Sequence, residues 1–300
     1  MNEIQERILF LKKKKKALIL AHYYQTMDIH EVADHVCDSF EMARRAYEAS
    51  EDLLIVCGVR FMAESAKILN PNKTVLLPSP DASCPMADTI EPEDVLRLRL
   101  QHPDAAVVCY VNSSAAVKAV SDICCTSSSA ERIVRALPER RIIFIPDRNL
   151  GSYIASRVHD KEIILFEGCC PAHDCITAPD AAEAKSRHPD AKLLVHPECR
   201  AEVIELADFV GSTAEIIREA AESDAREFII GTEIGVTDRL RAMTPGKSFF
   251  PITFDFTCPD MKKTGLSDIL NSLETGDYEV MLSATEIEAA SKTLERMVEL

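Results

Sequence analysis

The stretch Ala17–Tyr24 (ALILAHYY) decides the fold, because it is an apolar run that ends in polar aromatic side chains. A similar stretch, Ala105–Asn112 (AAVVCYVN), follows 88 residues later, and a third, Ala191–Glu198 (AKLLVHPE), follows after a further 86. Short continuous apolar runs of this kind are typical of buried parallel strands. Each copy closes with two polar groups two residues apart, which are His22/Tyr24, Tyr110/Asn112 and His196/Glu198.

Further apolar runs alternate with longer helix-like stretches along the whole chain. Including those within the three copies, the predicted strands are Leu18–Leu20, Leu53–Val56, Val75–Leu77, Val107–Val108, Ile142–Ile145, Ile163–Phe166, Leu193–Val195 and Phe228–Ile230. Alternation of buried strands with amphipathic helices predicts parallel sheets covered on both faces. A period near 87 residues is too long for a solenoid and indicates a few related α/β domains.

The sequence therefore predicts an α/β protein of three homologous three-layer αβα domains. We expect these domains to be arranged with pseudo-threefold symmetry around a central active site, since function gathers at the carboxyl ends of parallel strands. The expected bounds are 1–86, 87–172 and 173–265. The segment 266–300 is expected to be helical and to return to the first domain.

A second repeated feature joins a strand to a helix start through small or polar residues. The three copies were aligned as Val56–Val59 (VCGV), Cys125–Ser128 (CTSS) and Val210–Thr213 (VGST). Hydroxyl side chains at this position favour helix N-caps. Helix N-termini also bind carboxylates and phosphates, so these turns are candidate anion sites.

Charge and composition limit the function classes. The chain has 300 residues, with 34 Lys plus Arg against 49 Asp plus Glu, which gives a net charge of −15. Such a charge disfavours nucleic acid and anionic membranes as partners. The basic run Lys12–Lys16 precedes an apolar stretch too short for a signal peptide, so we expect a cytoplasmic protein with no membrane segment.

Three of the eleven cysteines follow the same period as the strands. Cys84, Cys170 and Cys258 are 86 and 88 residues apart, so each expected domain contributes one. Three thiolates match one face of a [4Fe-4S] cluster, whose fourth iron then stays open as a Lewis acid. A zinc ion held by three thiolates, or three ordinary buried cysteines, are the alternatives. Cys169 competes with its neighbour Cys170 as the middle ligand.

The polar pairs after the strands are the candidate acid–base groups. His titrates near neutrality, and Glu and Tyr exchange protons when their environment tunes them. We expect Glu198 and His196 to transfer protons, assisted by His22 and Tyr24.

An ordered set of motifs resembles the quinolinate synthase family. These motifs are Ala21–Gln25 (AHYYQ), Cys57–Glu64 (CGVRFMAE), Ala66–Pro71 (AKILNP), Tyr110–Ala115 (YVNSSA), Cys124–Ser128 (CCTSS), Pro146–Gly151 (PDRNLG), His196–Cys199 (HPEC) and Met261–Lys263 (MKK). They span residues from about 10 to 270 without large gaps.

The resemblance implies a reaction, a cofactor and a set of site residues. It implies condensation of iminoaspartate, made by an L-aspartate oxidase, with dihydroxyacetone phosphate to give quinolinate in NAD biosynthesis. It implies a [4Fe-4S] cluster on Cys84, Cys170 and Cys258. The implied catalytic and substrate-contacting residues are His22, Tyr24, Ser39, Tyr110, Asn112, Ser127, His173, His196, Glu198, Ser212 and Thr213.

Two other functions stay open at this level. A different [4Fe-4S] hydro-lyase acting on a small hydroxy acid shares the open-iron chemistry, and it would not require dihydroxyacetone phosphate. An iron–sulfur redox sensor would need an output domain or a basic surface, which the sequence does not indicate.

Overall fold

A computed structural model describes residues 1–299 and shows an α/β fold with three parallel four-stranded sheets. This confirms the fold class predicted from the apolar runs. We refer to the sheets and their helices as the first, second and third units, in chain order.

The first unit is built around β1, whose six residues are all buried. Its elements are α1 (Glu3–Lys15), β1 (Ala17–His22), α2 (Met27–His30), β2 (His35–Cys37), α3 (Ser39–Glu48), β3 (Leu53–Cys57), α4 (Arg60–Leu69) and β4 (Thr74–Leu76). The strand order is β2-β1-β3-β4, and Leu20 lies opposite His35 on one side and Val56 on the other. A strand with a partner on both sides and helices on both faces has no polar edge, which explains why its sequence is apolar up to the final residue, His22.

The second unit repeats this order around β5, which is also buried over all six residues. Its elements are α5 (Pro92–Gln101), β5 (Ala105–Tyr110), α6 (Ala115–Ala119), β6 (Ile123–Cys125), α7 (Ala130–Ala136), β7 (Arg141–Ile145), α8 (Arg148–Arg157) and β8 (Glu162–Leu165). The strand order is β6-β5-β7-β8.

The third unit has the order β10-β9-β11-β12. Its elements are α9 (Pro171–Asp174), α10 (Ala178–Arg187), β9 (Lys192–Val195), α11 (Ala201–Ile204), β10 (Phe209–Val210), α12 (Thr213–Glu222), β11 (Glu227–Gly231), α13 (Ile234–Met243) and β12 (Ser248–Pro251). The three sheets thus share one topology, which is the structural basis of the repeated sequence pattern.

One alignment made from the sequence is wrong. Cys57 ends β3, the third strand of its unit, whereas Cys125 and Val210 end β6 and β10, the second strands of theirs. The true counterpart in the first unit is the end of β2 at Cys37. The residues after Cys57 resemble the turns after Cys125 and Val210 in sequence. Strands of different units are equivalent, however, only when they hold the same position in their sheets. Two residues beyond these three strand ends the chain carries a serine each time, at Ser39, Ser127 and Ser212.

The tail forms two helices where the sequence analysis expected one segment over 266–300. Helix α14 (Leu266–Thr275) packs against α1 and β3 of the first unit. Helix α15 (Ala284–Glu299) packs mainly against α6 and β6 of the second unit and also against α4. Gly276, at a φ of 78°, ends α14 in the left-handed conformation that glycine accepts without strain. Leu300, the last residue of the expected segment, lies outside the described residues.

Among residues 1–299, no helix combines the length and the apolar character that crossing a membrane requires.

Candidate active site

Two cavities meet where the carboxyl ends of the three sheets converge. The first, with about 410 Å³ of empty space, is the candidate substrate cavity. Its lining residues are His22, Tyr24, Asp38, Ser39, Phe40, Met62, Tyr110, Asn112, Thr126, Ser127, His196, Glu198, Thr213 and Met261.

The second cavity, with about 430 Å³ of empty space, is lined by the three predicted cysteine ligands, and we call it the thiol cavity. Its lining residues are Tyr24, Val59, Phe61, Ser83, Cys84, Met86, Asn112, Cys170, Ala172, His173, Glu198, Glu233, Cys258 and Met261.

The wall shared by the two cavities is made of equivalent positions of the three units. Tyr24, Asn112 and Glu198 line both cavities and are 88 and 86 residues apart, the period of the repeat. The phenol, amide and carboxylate of this wall therefore line the candidate substrate cavity on one side and the cavity with the cysteines on the other. Met261 completes the wall.

Glu198 is the central charged group of the wall. Its Oε2 lies 2.9 Å from Nδ1 of His173 and 3.6 Å from Nδ1 of His196. Burial opposes ionisation, but the two imidazoles and hydrogen bonds from His173 and Tyr110 outweigh it and hold the pKa of Glu198 below its usual range. Its Oε1 is buried and has no hydrogen-bond partner among residues 1–299. Glu198 is therefore a carboxylate with one oxygen free to act on substrate.

His22 and His196 occupy equivalent places and make the same backbone contact. Nδ1 of His22 accepts from the Tyr24 N–H at 3.2 Å, and Nδ1 of His196 accepts from the Glu198 N–H at 3.3 Å. Burial lowers the pKa of His22 to about 3, helped by His30, and lowers that of His196 to about 4. Both rings are thus neutral, and each carries its hydrogen on Nε2.

The two tyrosines of the site stay protonated. Burial, followed by the negative charge of Glu198, raises the pKa of both Tyr24 and Tyr110 well above its usual value. The Tyr24 ring stands edge-on to His22 with ring centroids 4.5 Å apart. Both phenols therefore act as hydrogen-bond donors rather than as bases.

The donor set of the thiol cavity fits a metal centre. Burial raises the pKa of Cys84 to about 12 and raises those of Cys170 and Cys258, so these thiols ionise only beside a cation. Asn112 Oδ1 and Glu198 Oε1 are buried polar atoms without partners in the same cavity. Because native structures rarely leave buried oxygens unpaired, an occupant that binds oxygen is expected there.

A tighter group of ligand atoms lies at one side of the thiol cavity. The side chains of Cys170, His173 and Glu198 place their ligand atoms within 4.8 Å of one another and could hold a metal ion. His173 Nδ1 is 3.2 Å from Cys170 Sγ. Cys169 is half-buried and lies beside Asp174 and Arg148, and it lines neither of the two cavities.

Carboxylates anchor the loops that carry the cysteines. Asp147 caps α8 by accepting from Leu150 N and also accepts from the Cys170 N–H at 3.2 Å. Glu233 caps α13 by accepting from Gly235 N, accepts from the Cys258 N–H at 3.4 Å and pairs with Lys262 at 2.9 Å.

The first unit anchors its cysteine loop differently. Val59 stands at the position of Asp147 and Glu233, 88 and 174 residues earlier, and makes no side-chain cap. The loop is held instead by the Ser83 N–H, which donates to Asp260 Oδ1 at 3.2 Å from the third unit.

Most residues predicted for the site line the two cavities. Ser212 is the exception: it caps α12 through Glu215 N and lines a neighbouring groove between α3 and α12. Sequence reasoning missed Thr232, which contacts both Tyr24 and His173, and it missed the anchoring roles of Asp147 and Glu233. These residues lie one or two positions after the third strand of their unit, and that position was the available signal. The wrong alignment at Cys57 concealed it.

Fold and site together define a class of protein: an α/β protein with three repeated units, in which a thiol-lined cavity that could hold a metal ion adjoins a second, polar cavity. Residues 6–299 match the family described as Quinolinate synthetase A protein. The chain is 51% identical over 300 residues to a quinolinate synthase of Caldicellulosiruptor saccharolyticus, covering all of this chain and 99% of that protein. It is 49% identical over 297 residues to one of Methanoregula boonei, covering 99% and 98%. The chain belongs to the quinolinate synthetase A family.

Proposed function

We propose that this enzyme is a quinolinate synthase that condenses iminoaspartate with dihydroxyacetone phosphate. The products are quinolinate, phosphate and two waters, which accounts for all atoms of the two substrates. The observation that carries the proposal is the shared wall, where Tyr24, Asn112 and Glu198 face the substrate cavity and the three cysteines at once.

The substrate cavity suits anions although its lining, as described, contains no lysine or arginine. Two ten-residue helices begin at it: α3 starts with Ser39 and α12 starts with Thr213. Free N–H groups and the positive end of the helix dipole attract carboxylates and phosphates at such ends. Ser127 adds a hydroxyl from the second unit. We assign the carboxylates and the phosphate of the substrates to these groups.

Proton transfer is assigned to the wall and its neighbours. Oε1 of Glu198 removes the carbon-bound hydrogen of bound substrate, because it is the one oxygen of a charged carboxylate without a protein partner. Neutral His22 donates from Nε2 to the triose oxygens, and Tyr24 donates its phenolic hydrogen beside it. His196 holds the backbone of Glu198 through Nδ1.

We further propose that Cys84, Cys170 and Cys258 hold a [4Fe-4S] cluster. When bound, it supplies a Lewis-acidic iron that stabilises developing negative charge on substrate oxygen. It also supplies the positive charge that the buried thiolates require. We propose that the enzyme works in the cytoplasm, where an L-aspartate oxidase provides iminoaspartate.

The test begins with anaerobic purification and analysis of iron, sulfide and the visible spectrum. About four irons and four sulfides per chain are expected, with broad absorption near 400 nm. Quinolinate should then form from iminoaspartate only when dihydroxyacetone phosphate is present. Product formation from a hydroxy acid alone would favour a hydro-lyase, and one zinc per chain would overturn the cluster.

The matched variant is Glu198→Gln, which keeps the size of the side chain. It should retain iron and lose at least a hundredfold in turnover, because general-base catalysis contributes about that factor. Turnover near the wild-type rate would remove Glu198 from the mechanism.

A further inference from the structure

Thr232 has no role in the proposed mechanism, yet it connects two groups that do, Tyr24 and Glu198. Thr232 follows β11 and is fully buried. Its Oγ1 lies 2.9 Å from the Tyr24 hydroxyl and 3.1 Å from His173 Nε2. The chain of contacts continues from His173 Nδ1 to Glu198 Oε2 at 2.9 Å. Tyr24 and Glu198 both belong to the shared wall, and contacts through Thr232 and His173 also connect them.

Thr232 contacts both sides of this link. A hydroxyl has one hydrogen to donate and an oxygen that accepts, so it can serve the Tyr24 hydroxyl and His173 Nε2 at the same time. A side chain without a hydroxyl can serve neither.

We propose that Thr232 is a positioning residue, whose hydroxyl holds the Tyr24 phenol and the His173 ring in the orientations that the reaction needs. This inference rests on the proposed function for its kinetic part only. Without the hydroxyl, His173 Nε2 loses its 3.1 Å partner, and Tyr24 keeps only the longer contact of 3.3 Å to Thr213. Both groups then reorient relative to the substrate cavity.

The chain offers a matched control. Thr237 of α13 is also fully buried, yet its hydroxyl has no hydrogen-bond partner in the described part of the chain, and it lines neither cavity. Thr232→Val and Thr237→Val remove the same atom from equally buried positions. Thr232→Ser keeps the hydroxyl and removes only the methyl group.

The kinetic test compares these three variants with the wild type as cluster-loaded enzymes. Thr232→Val should lower kcat by roughly tenfold to a hundredfold, the usual effect of leaving buried polar partners unpaired, while KM changes by less than about threefold. Thr232→Ser should recover to within about threefold, and Thr237→Val should match the wild type. A kcat of Thr232→Val within twofold of wild type would overturn the proposal, as would equal losses in the Ser and Val variants.

A second readout needs neither the cluster nor turnover. In protein with ¹⁵N-labelled histidine, the Nε2 signal of His173, assigned with His173→Gln, should shift in Thr232→Val. It should stay in place in Thr232→Ser and Thr237→Val, and an unmoved signal in Thr232→Val would contradict the hydrogen-bond assignment. If the wild type makes no quinolinate, the proposed function fails while this signal still decides the role of Thr232.

Discussion

The second and third units hold their cysteines by one device, and the first unit by another. Asp147 and Glu233 stand two residues after the third strand, cap the following helix and accept a hydrogen bond from the cysteine of their own unit. In the first unit the same position is Val59, and the Cys84 loop depends on Asp260 of the third unit.

This difference shows that the three units share their strand order but not the side chain that anchors the cysteine loop. The strand order is the same in all three sheets, because it is set by buried backbone pairing. The anchor of each loop is one side chain, and a contact across units can replace it. We therefore expect the Cys84 loop to order only when the first and third units are docked.

The largest effect is expected from Glu233→Ala. This change removes the cap of α13 and the acceptor of Cys258 N–H, and it leaves Lys262 without its buried partner. We expect the free energy of unfolding of the metal-free protein to fall by about 4 kcal/mol in urea titrations. Asp38→Ala removes an N-cap bonded to Glu41 of its own helix and should cost only about 1 kcal/mol. If both variants lost the same free energy of unfolding, the contacts of Glu233 with Cys258 and Lys262 would add nothing to its role as a helix cap.

Asp147→Ala should cost about 3 kcal/mol, less than Glu233→Ala, because no lysine is paired with Asp147. It should also loosen one loop selectively. Cys170 should react faster with iodoacetamide in metal-free protein while Cys84 keeps its rate, as measured by peptide mass spectrometry. Acceleration at both cysteines would mean that the loops are not anchored separately.

The units also differ at the ends of their first strands, where His22 and His196 are matched by Tyr110. Unfolded chains protonate histidine near pH 6.5, whereas His22 and His196 stay neutral in the fold down to about pH 3 and 4. The unfolded state then binds more protons, so stability falls as pH drops below 6.5.

Each histidine should contribute about 2 kcal/mol of this loss between pH 7 and pH 5. Urea titrations at both pH values should show it, and His22→Gln should remove about half of the part due to this pair. An unchanged pH dependence in His22→Gln would place the proton uptake elsewhere.

The smallest effect is expected from Asp260→Ala, which breaks the tie across units. Asp260 also pairs with the exposed Lys263, so the net loss should be about 1 kcal/mol. Its signature is selective: iodoacetamide should label Cys84 faster and leave Cys170 unchanged, the reverse of Asp147→Ala. Labelling of Cys84 at the wild-type rate would refute the tie.

The buried central strands could be predicted from the sequence, because burial requires apolar residues. The central strands β1, β5 and β9 are apolar because neighbouring strands and helices cover them, and their spacing exposed the three units. The second strand of the first unit escaped detection because β2 has three residues, too few for an apolar pattern. Its omission caused the wrong alignment at Cys57.

The site was predictable where the repeat brought polar groups to strand ends, as with Glu198 and Tyr24. The role of Thr232 depends on a contact between units, its 2.9 Å approach to Tyr24, and the role of Asp147 depends on a contact with Cys170, 23 residues further along the chain. No local pattern encodes either contact. The assignment of each cysteine to a cluster remains a prediction for the iron analysis.

The wall of Tyr24, Asn112 and Glu198 bears on how such a site can originate. Three identical chains assembled around a common centre must present the same residue three times, since symmetry copies every side chain. A single chain with three internal copies is free of that constraint. Gene duplication followed by fusion would let the equivalent position become an acid in one unit, a base in another and a neutral binder in the third. Joining the three units in one chain therefore allows a chemically asymmetric site, which a symmetric oligomer cannot form.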